Sequence, residues 1–166
     1  VDKGITSGTG GTTFSPNASC TRGQMVTFLW RAAGSPAPKS AETPFTDVNK
    51  GDYFYDAVLW AVEQGITSGT SATTFSPNAT VTRGQTVTFL WRANASPVVN
   101  YAMDFTDVAA DAYYAEAVRW AVSEGVTAGT GDKAFSPDAD CTRAQIVTFM
   151  YRDARLHSEN RITDPK

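Results

Sequence analysis

Residues 65–94 read GITSGTSATTFSPNATVTRGQTVTFLWRAN, and residues 4–33 read GITSGTGGTTFSPNASCTRGQMVTFLWRAA. The two stretches match at 24 of 30 positions. A third stretch, residues 125–154, reads GVTAGTGDKAFSPDADCTRAQIVTFMYRDA and matches residues 65–94 at 15 of 30. The later two copies are each preceded by FTDV, at Phe45 and Phe105, and by YDAVLWAVEQG or YAEAVRWAVSEG. A fixed period of this kind signals a repeat architecture, in which one unit cannot bury its apolar face alone.

The local signals within one repeat are helical. From Tyr53 to Gln64, Phe54, Ala57, Val58, Ala61 and Val62 recur at the spacing of an amphipathic helix. Gly65 follows as a C-terminal stop. The same pattern predicts a helix from Tyr113 to Glu124 ahead of Gly125. The Gly/Ser/Thr/Pro-rich stretch after each Gly is a loop, with Phe14, Phe75 and Phe135 expected to pin it to the core. A second helix opens at Thr21, Thr82 and Thr142, each followed three residues on by Gln24, Gln85 or Gln145. This spacing is a capping box, with each Thr cap worth on the order of 1 kcal/mol. Pro36 and Pro97 lie in the linkers beyond helix two. The reading is all-α, a tandem of helix–loop–helix units. Periodicity does not choose between a stacked solenoid and a closed ring.

Composition narrows the function. Among 166 residues, 42% are apolar and the net charge is −3, which excludes disorder. Mild acidity argues against a nucleic-acid partner. No apolar run approaches the roughly 18 residues of a membrane span. The first repeat carries only its second half: Val1-Asp2-Lys3-Gly4 aligns with Val62-Glu63-Gln64-Gly65, the end of a helix. There is no initiator Met or signal peptide, so the chain reads as a piece of a longer protein.

Taken together, FTDV, the AVxWAVxxGIT helix end, the GT…FSPxAxxTRxQ loop and the second helix resemble the S-layer homology (SLH) domain. The resemblance covers residues 1 to about 155. It implies three repeats packed about a pseudo-threefold axis, the first lacking its first helix. On this reading residues 1–38 are a partial repeat, 45–97 and 105–155 are full repeats, and 156–166 are an unassigned tail. The resemblance also implies a secreted, non-catalytic anchor on the surface of a Gram-positive bacterium. Its ligand would be secondary cell-wall polysaccharide, often pyruvylated, held in grooves between repeats; at most two grooves are expected to be intact here. No cofactor is implied.

The resemblance carries residue roles with it. The family's Thr-Arg-Ala-Glu becomes Thr-Arg-Gly-Gln at 21–24 and 82–85 and Thr-Arg-Ala-Gln at 142–145. Arg22, Arg83 and Arg143 match the ligand-contacting Arg. Each stands at the first helical position, where the macrodipole disfavours a cation. Beside free backbone N–H groups, such a guanidinium suits a carboxylate. The alternative is an inter-repeat salt bridge to Asp47 or Asp107. Gln24, Gln85 and Gln145 replace the family's Glu, keeping cap geometry but removing a charge. Tyr53 and Tyr113 stand where the family favours Trp; they suit a sugar face or core packing alike. Gly8-Thr9, Gly69-Thr70 and Gly129-Thr130 fall where the family's loop approaches ligand.

The remaining candidates read as structural. Trp30, Trp60, Trp91 and Trp120 lie on helical stripes and are expected in the core. Arg31, Arg92 and Arg152 favour the dipole at the end of helix two. Cys20 and Cys141, at a position where the middle repeat has Val81, are expected to be free buried thiols. No metal site is implied: Asp138-x-Asp140 lacks the Gly and terminal Glu of a calcium loop, and His157 reads as solvated. No catalytic motif appears. A second hypothesis is a protein-interaction module of a surface protein, binding a partner, swapping a domain or self-associating. Without its own first helix, the face of Met25, Phe28 and Leu29 is expected to be partly open.

Overall fold

The computed structural model describes the backbone of residues 4–162 and the side chains of residues 4–155. Residues 1–3, read above as a helix end, and the side chain of His157 lie outside the described residues. Among the described residues five helices run α1 (Arg22–Ala32), α2 (Tyr55–Glu63), α3 (Arg83–Ala93), α4 (Ala115–Ser123) and α5 (Arg143–Ile162). Among the described residues the only extended pairings are isolated bridges. The chain is therefore all-α, in tandem helix–loop–helix repeats.

The chain forms two compact units, Val1–Val81 and Thr82–Lys166. Each unit joins the second half of one sequence repeat to the first half of the next. In the first unit α1 packs on α2; in the second α3 packs on α4 and, to a lesser extent, α5. This corrects the expectation of an open face on α1. Met25 is fully buried, and Phe28 and Leu29 are only 5% and 6% exposed. The partner of α1 is the first helix of the following repeat, so the absence of its own first helix leaves that face covered. The motive for self-association falls with it.

Local chemistry explains the helix limits. The first helix of each repeat starts two residues later than periodicity predicts. Tyr53-Phe54 and Tyr113-Tyr114 form a turn instead, because Asp52 and Ala112 carbonyls already accept from Tyr55 and Ala115 N–H. At the other end, Gly65 takes φ +69 and its N–H donates to Val62 C=O at 3.0 Å, while Ile66 N–H reaches Ala61 C=O at 2.8 Å. This is the Schellman stop, and buried Ile66 completes it. Gly125 and Val126 repeat the pattern. Helices α1 and α3 end the same way at Gly34 and Ala95, both at positive φ.

The core holds Phe75 and Phe135, fully buried, as the loop pins expected; Phe14 is half-buried. Trp60 and Trp120 are core residues. Trp30 and Trp91 are not: each is half-buried and its indole N–H donates to the carbonyl of Pro36 or Pro97, at 2.8 and 2.9 Å. A polar tip on an amphipathic ring favours a boundary position, where it fastens the linker. Cys20 and Cys141 are free and buried.

Candidate functional site

The starts of α1 and α3 are built from three layers of hydrogen bonds. The innermost is the capping box. Thr21 Oγ1 accepts from Gln24 N–H at 3.2 Å, and Gln24 Oε1 accepts from Thr21 N–H at 3.0 Å. Thr82 with Gln85 and Thr142 with Gln145 are bonded alike. The Gln side chains are therefore spent on capping, which satisfies two orphan helix donors reciprocally.

The second layer comes from the loop of the following repeat. Arg22 N–H donates to Ala79 C=O and Gly23 N–H to Pro77 C=O, each at 2.9 Å. Arg83 and Gly84 donate to Ala139 and Pro137 at 2.9 and 2.8 Å. The expectation of free backbone N–H groups beside Arg22 and Arg83 is thus corrected. Loop carbonyls occupy the first turn, and their negative ends meet the helix dipole there. They also remove the objection to a cation at this position.

The third layer is the arginine itself. Arg22, Arg83 and Arg143 are 4%, 3% and 5% exposed. Arg22 Nε donates to Phe75 C=O at 2.9 Å, with the guanidinium 4.8 Å from the Phe75 ring centre. Arg83 Nε donates to Phe135 C=O at 2.9 Å and lies over the Phe135 and Phe149 rings. A weakly hydrated, planar cation suits such a stack. Burial pushes the Arg83 pKa down, opposed by the fields of Cys141 and Asp107. Arg83 Nη2 is buried without a hydrogen-bond partner.

Asp47 and Asp107 grip the same peptides from the other side. Asp47 Oδ1 and Oδ2 accept from Phe75 and Ser76 N–H at 2.9 and 2.8 Å. Asp107 accepts from Phe135 and Ser136 N–H at 2.9 and 2.7 Å. Partial desolvation pushes the Asp107 carboxyl up, but those N–H donors and the Arg83 charge outweigh it and hold it below the ordinary aspartate value. In the second unit the link between Arg83 and Asp107 runs through the Phe135 peptide and through their mutual field, in place of the direct ion pair weighed above. Periodicity carried no sign of this role for FTDV. The restated Asp directly before the buried Val48 or Val108 would have been the place to look.

Tyr53 and Tyr113 stand at the rim. Both are 59% exposed. Tyr53 packs edge-on against Phe54 with ring centres 5.0 Å apart and is hydrogen-bonded to the Thr21 side chain. Partial burial pushes its phenol pKa up, against that bond. Tyr113 packs likewise on Tyr114 at 4.9 Å. A Cβ on Gly23 would lie 3.0 Å from the Phe54 ring, and one on Gly84 3.0 Å from the Tyr114 ring. Gly at these sites lets the aromatic pair seat directly on the helix start.

Gly69 and Gly129 take φ +87 and +90 beneath the Phe45 and Phe105 rings. The Thr70 hydroxyl bonds Ser76 Oγ at 2.7 Å, and Thr130 bonds Ser136 at 2.6 Å, at an exposed loop surface. Arg31 and Arg152 hold the carbonyls of Ile5 and Val126 at the loop entrance, at 3.5 and 3.1 Å. The first unit thus assembles Arg22, Gln24, Tyr53, Gly69 and Thr70, and the second assembles Arg83, Gln85, Tyr113, Gly129 and Thr130. Among the described residues no cluster of three or more His, Cys, Asp or Glu gathers for a metal. No helix among them is long and apolar enough to cross a membrane.

Comparison with known proteins matches this architecture. The model of the S-layer homology domain matches residues 1–26, 44–87 and 104–147. An endoglucanase of Bacillus sp. (strain KSM-635) is 31% identical over 135 residues, 81% of this chain and 14% of that protein. The surface-layer 125 kDa protein of Lysinibacillus sphaericus is 29% identical over 156 residues, 92% of this chain and 13% of that protein. A cell surface protein of Thermoanaerobacter kivui is 29% identical over 118 residues, 68% of this chain and 16% of that protein. The chain therefore spans less than a fifth of the length of these curated relatives. Three matches in fixed order, on repeats of this geometry, put the chain at the bacterial cell surface as a member of the S-layer homology domain family.

Proposed function

We propose that the chain is a non-catalytic anchor that binds cell-wall polysaccharide, with pyruvylated sugar as its preferred ligand. The observation that carries this reading is the pairing of an exposed Tyr113 with a buried, under-bonded Arg83 at one helix start. Tyr113 offers a flat ring to a sugar face. Arg83 Nη2 lacks an acceptor, and a buried donor left unpaired costs about 1–3 kcal/mol. A carboxylate entering beside it would supply that acceptor and a compensating charge. Arg22 and Tyr53 repeat the placement of a buried arginine and an exposed tyrosine at a helix start, and Thr70 and Thr130 add exposed hydroxyls at the loop rim. Arg143, at 5% exposed, is the corresponding cation of the third repeat. The relatives support an anchor because an endoglucanase and a surface-layer protein share this stretch over only a small part of each. No part of the reading needs a cofactor.

The test is sedimentation with purified wall sacculi, before and after chemical removal of the polysaccharide and after selective removal of its ketal-linked pyruvate. The chain should sediment only with polymer-bearing sacculi, and weaken by about tenfold after pyruvate removal or in Tyr113→Ala. Equal sedimentation with stripped sacculi would overturn the reading. Tyr113→Ala is the informative variant, because Arg83 also holds the fold.

A further inference from the structure

The second and third repeats treat the segment ahead of FTDV differently. In the second repeat it is fastened down. The Glu63 carboxylate accepts from Lys39 and Ser40 N–H at 3.1 and 2.6 Å, and the Tyr55 hydroxyl donates to Ala41 C=O at 2.7 Å. In the third repeat Ser123 stands at the position of Glu63 and Ala115 at that of Tyr55. Neither side chain can reproduce those bonds, and the Ser123 hydroxyl turns back to Trp120 C=O at 3.1 Å. A cleft of about 730 Å3 opens there, between residues 101–105, the end of α4 and the 127–133 loop.

We propose that this cleft is a second saccharide subsite, taking a short neutral sugar chain. The class of ligand rests on the wall-polysaccharide reading; the site does not, since none of Arg83, Tyr113 and Thr130 lines it. Its volume falls within the roughly 300–1,000 Å3 of ordinary ligand sites. Its charges cancel, Arg152 and Lys133 against Asp104 and Asp132. Lys133 Nζ lies 3.1 Å from Asp104 Oδ2. An ionic ligand would have to break that balance. Vicinal hydroxyls, which donate and accept at once, fit it without a change in net charge. Tyr101, 42% exposed, and Phe105 give one wall aromatic area for a ring face. Gly125 and Gly131 have open space where a Cβ would stand, so the ligand meets bare backbone. The frame is firm: Arg152 Nη1 donates to Val126 C=O at 3.1 Å, and Thr106 N–H donates to Lys133 C=O at 2.9 Å.

The test is an amide-resolved NMR titration of the whole chain with three neutral disaccharides, N,N′-diacetylchitobiose, cellobiose and maltose, against N-acetylneuraminic acid as the anionic control. At least one disaccharide should move the amide signals of Tyr101, Gly125, Gly131 and Lys133 more than the acid does. The variant Ser123→Glu restores the second repeat's carboxylate at that exposed position, and should weaken that response by about tenfold with helix content unchanged. Tyr113→Ala should leave it intact even where wall sedimentation is weakened, so the failure of one site is distinguishable from the failure of the other. Silence at those amides with all three disaccharides, a larger response to the acid, or an undiminished response in Ser123→Glu overturns the proposal.

Discussion

Arg83 and Asp107 hold opposite ends of one residue. The Phe135 N–H is accepted by the Asp107 carboxylate, and the Phe135 C=O accepts from Arg83 Nε, each at 2.9 Å. Arg22, Phe75 and Asp47 repeat the arrangement at the same distances. The acid belongs to the same repeat as the Phe, and the base to the repeat before it. The Phe135–Ser136 peptide is polarised from both ends, its C=O accepting from Arg83 and its Ser136 N–H donating to Asp107 at 2.7 Å, which strengthens both bonds. Repeat order is thereby written into a charge relay with a backbone unit at its centre.

Truncating the acid should therefore loosen the loop. Asp47→Ala or Asp107→Ala removes charge-assisted bonds to two backbone donors, and each should lower stability by about 2–3 kcal/mol in urea denaturation. Acidification should act the same way. The folded Asp107 value is depressed, so its contribution is fully present above the ordinary value of 3.8 and is lost as pH falls through the lower folded value. Asp107→Asn should flatten that acid limb, read as urea midpoints between neutral pH and about pH 3.

Arg83→Met tests the other half of the relay. Methionine keeps much of the stem volume but leaves Phe135 C=O without its donor and the two rings without their cation. A loss of about 2–4 kcal/mol is expected, from the charged hydrogen bond and the cation–π contact together. Thermal unfolding of the variant measures it.

Much of this was legible in the sequence, for reasons that differ by residue. Thr82 and Gln85 announce their cap because its partners are three residues apart. Phe75 and Phe135 announce burial because each is the lone large apolar residue of a polar loop. The packing partner of α1 was hidden, because periodicity gives a helix its face and says nothing of what lies against it. The grip of Asp47 on Phe75 spans 28 residues, beyond any local pattern. Trp30 misled for a subtler reason: a helical stripe predicts burial of its ring, while the indole N–H needs an acceptor, and Pro36 supplies it at the boundary.

Gly69 should resist substitution. An added Cβ would lie 2.5 Å from the Phe45 ring and 2.6 Å from Thr74 C=O, at φ +87. Gly69→Ala is expected to lower stability by more than about 2 kcal/mol, since both overpacking and left-handed backbone oppose it. Chemical denaturation checks this.

Ala95 is the reverse case. It occupies the left-handed stop of α3 at φ +62, where α1 uses Gly34. A non-glycine residue there is strained by roughly 1–2 kcal/mol, partly offset because Gly is freer in the unfolded chain. Ala95→Gly should raise stability by about 0.5–1 kcal/mol, seen as a higher urea midpoint.

The two thiols should report opening of their own units. Cys20 lies in the first and Cys141 in the second, both buried, and burial pushes the Cys141 thiol pKa up despite its bond to Thr86 and the Arg83 charge. Neither should react with a thiol-directed dye under native conditions, and both should react in denaturing urea. Fast labelling of the native chain would contradict the burial described.

The offset between folded unit and sequence repeat bears on how such arrays lengthen. Each 60-residue cassette brings, at its front, the Asp and Phe that complete the unit behind it and, at its back, the capping Thr and Arg that begin the unit ahead. Tandem gene duplication of one cassette therefore lays down a plug and a matching socket in a single event. No new kind of contact has to be invented, and the divergence of any one copy is checked by both of its neighbours.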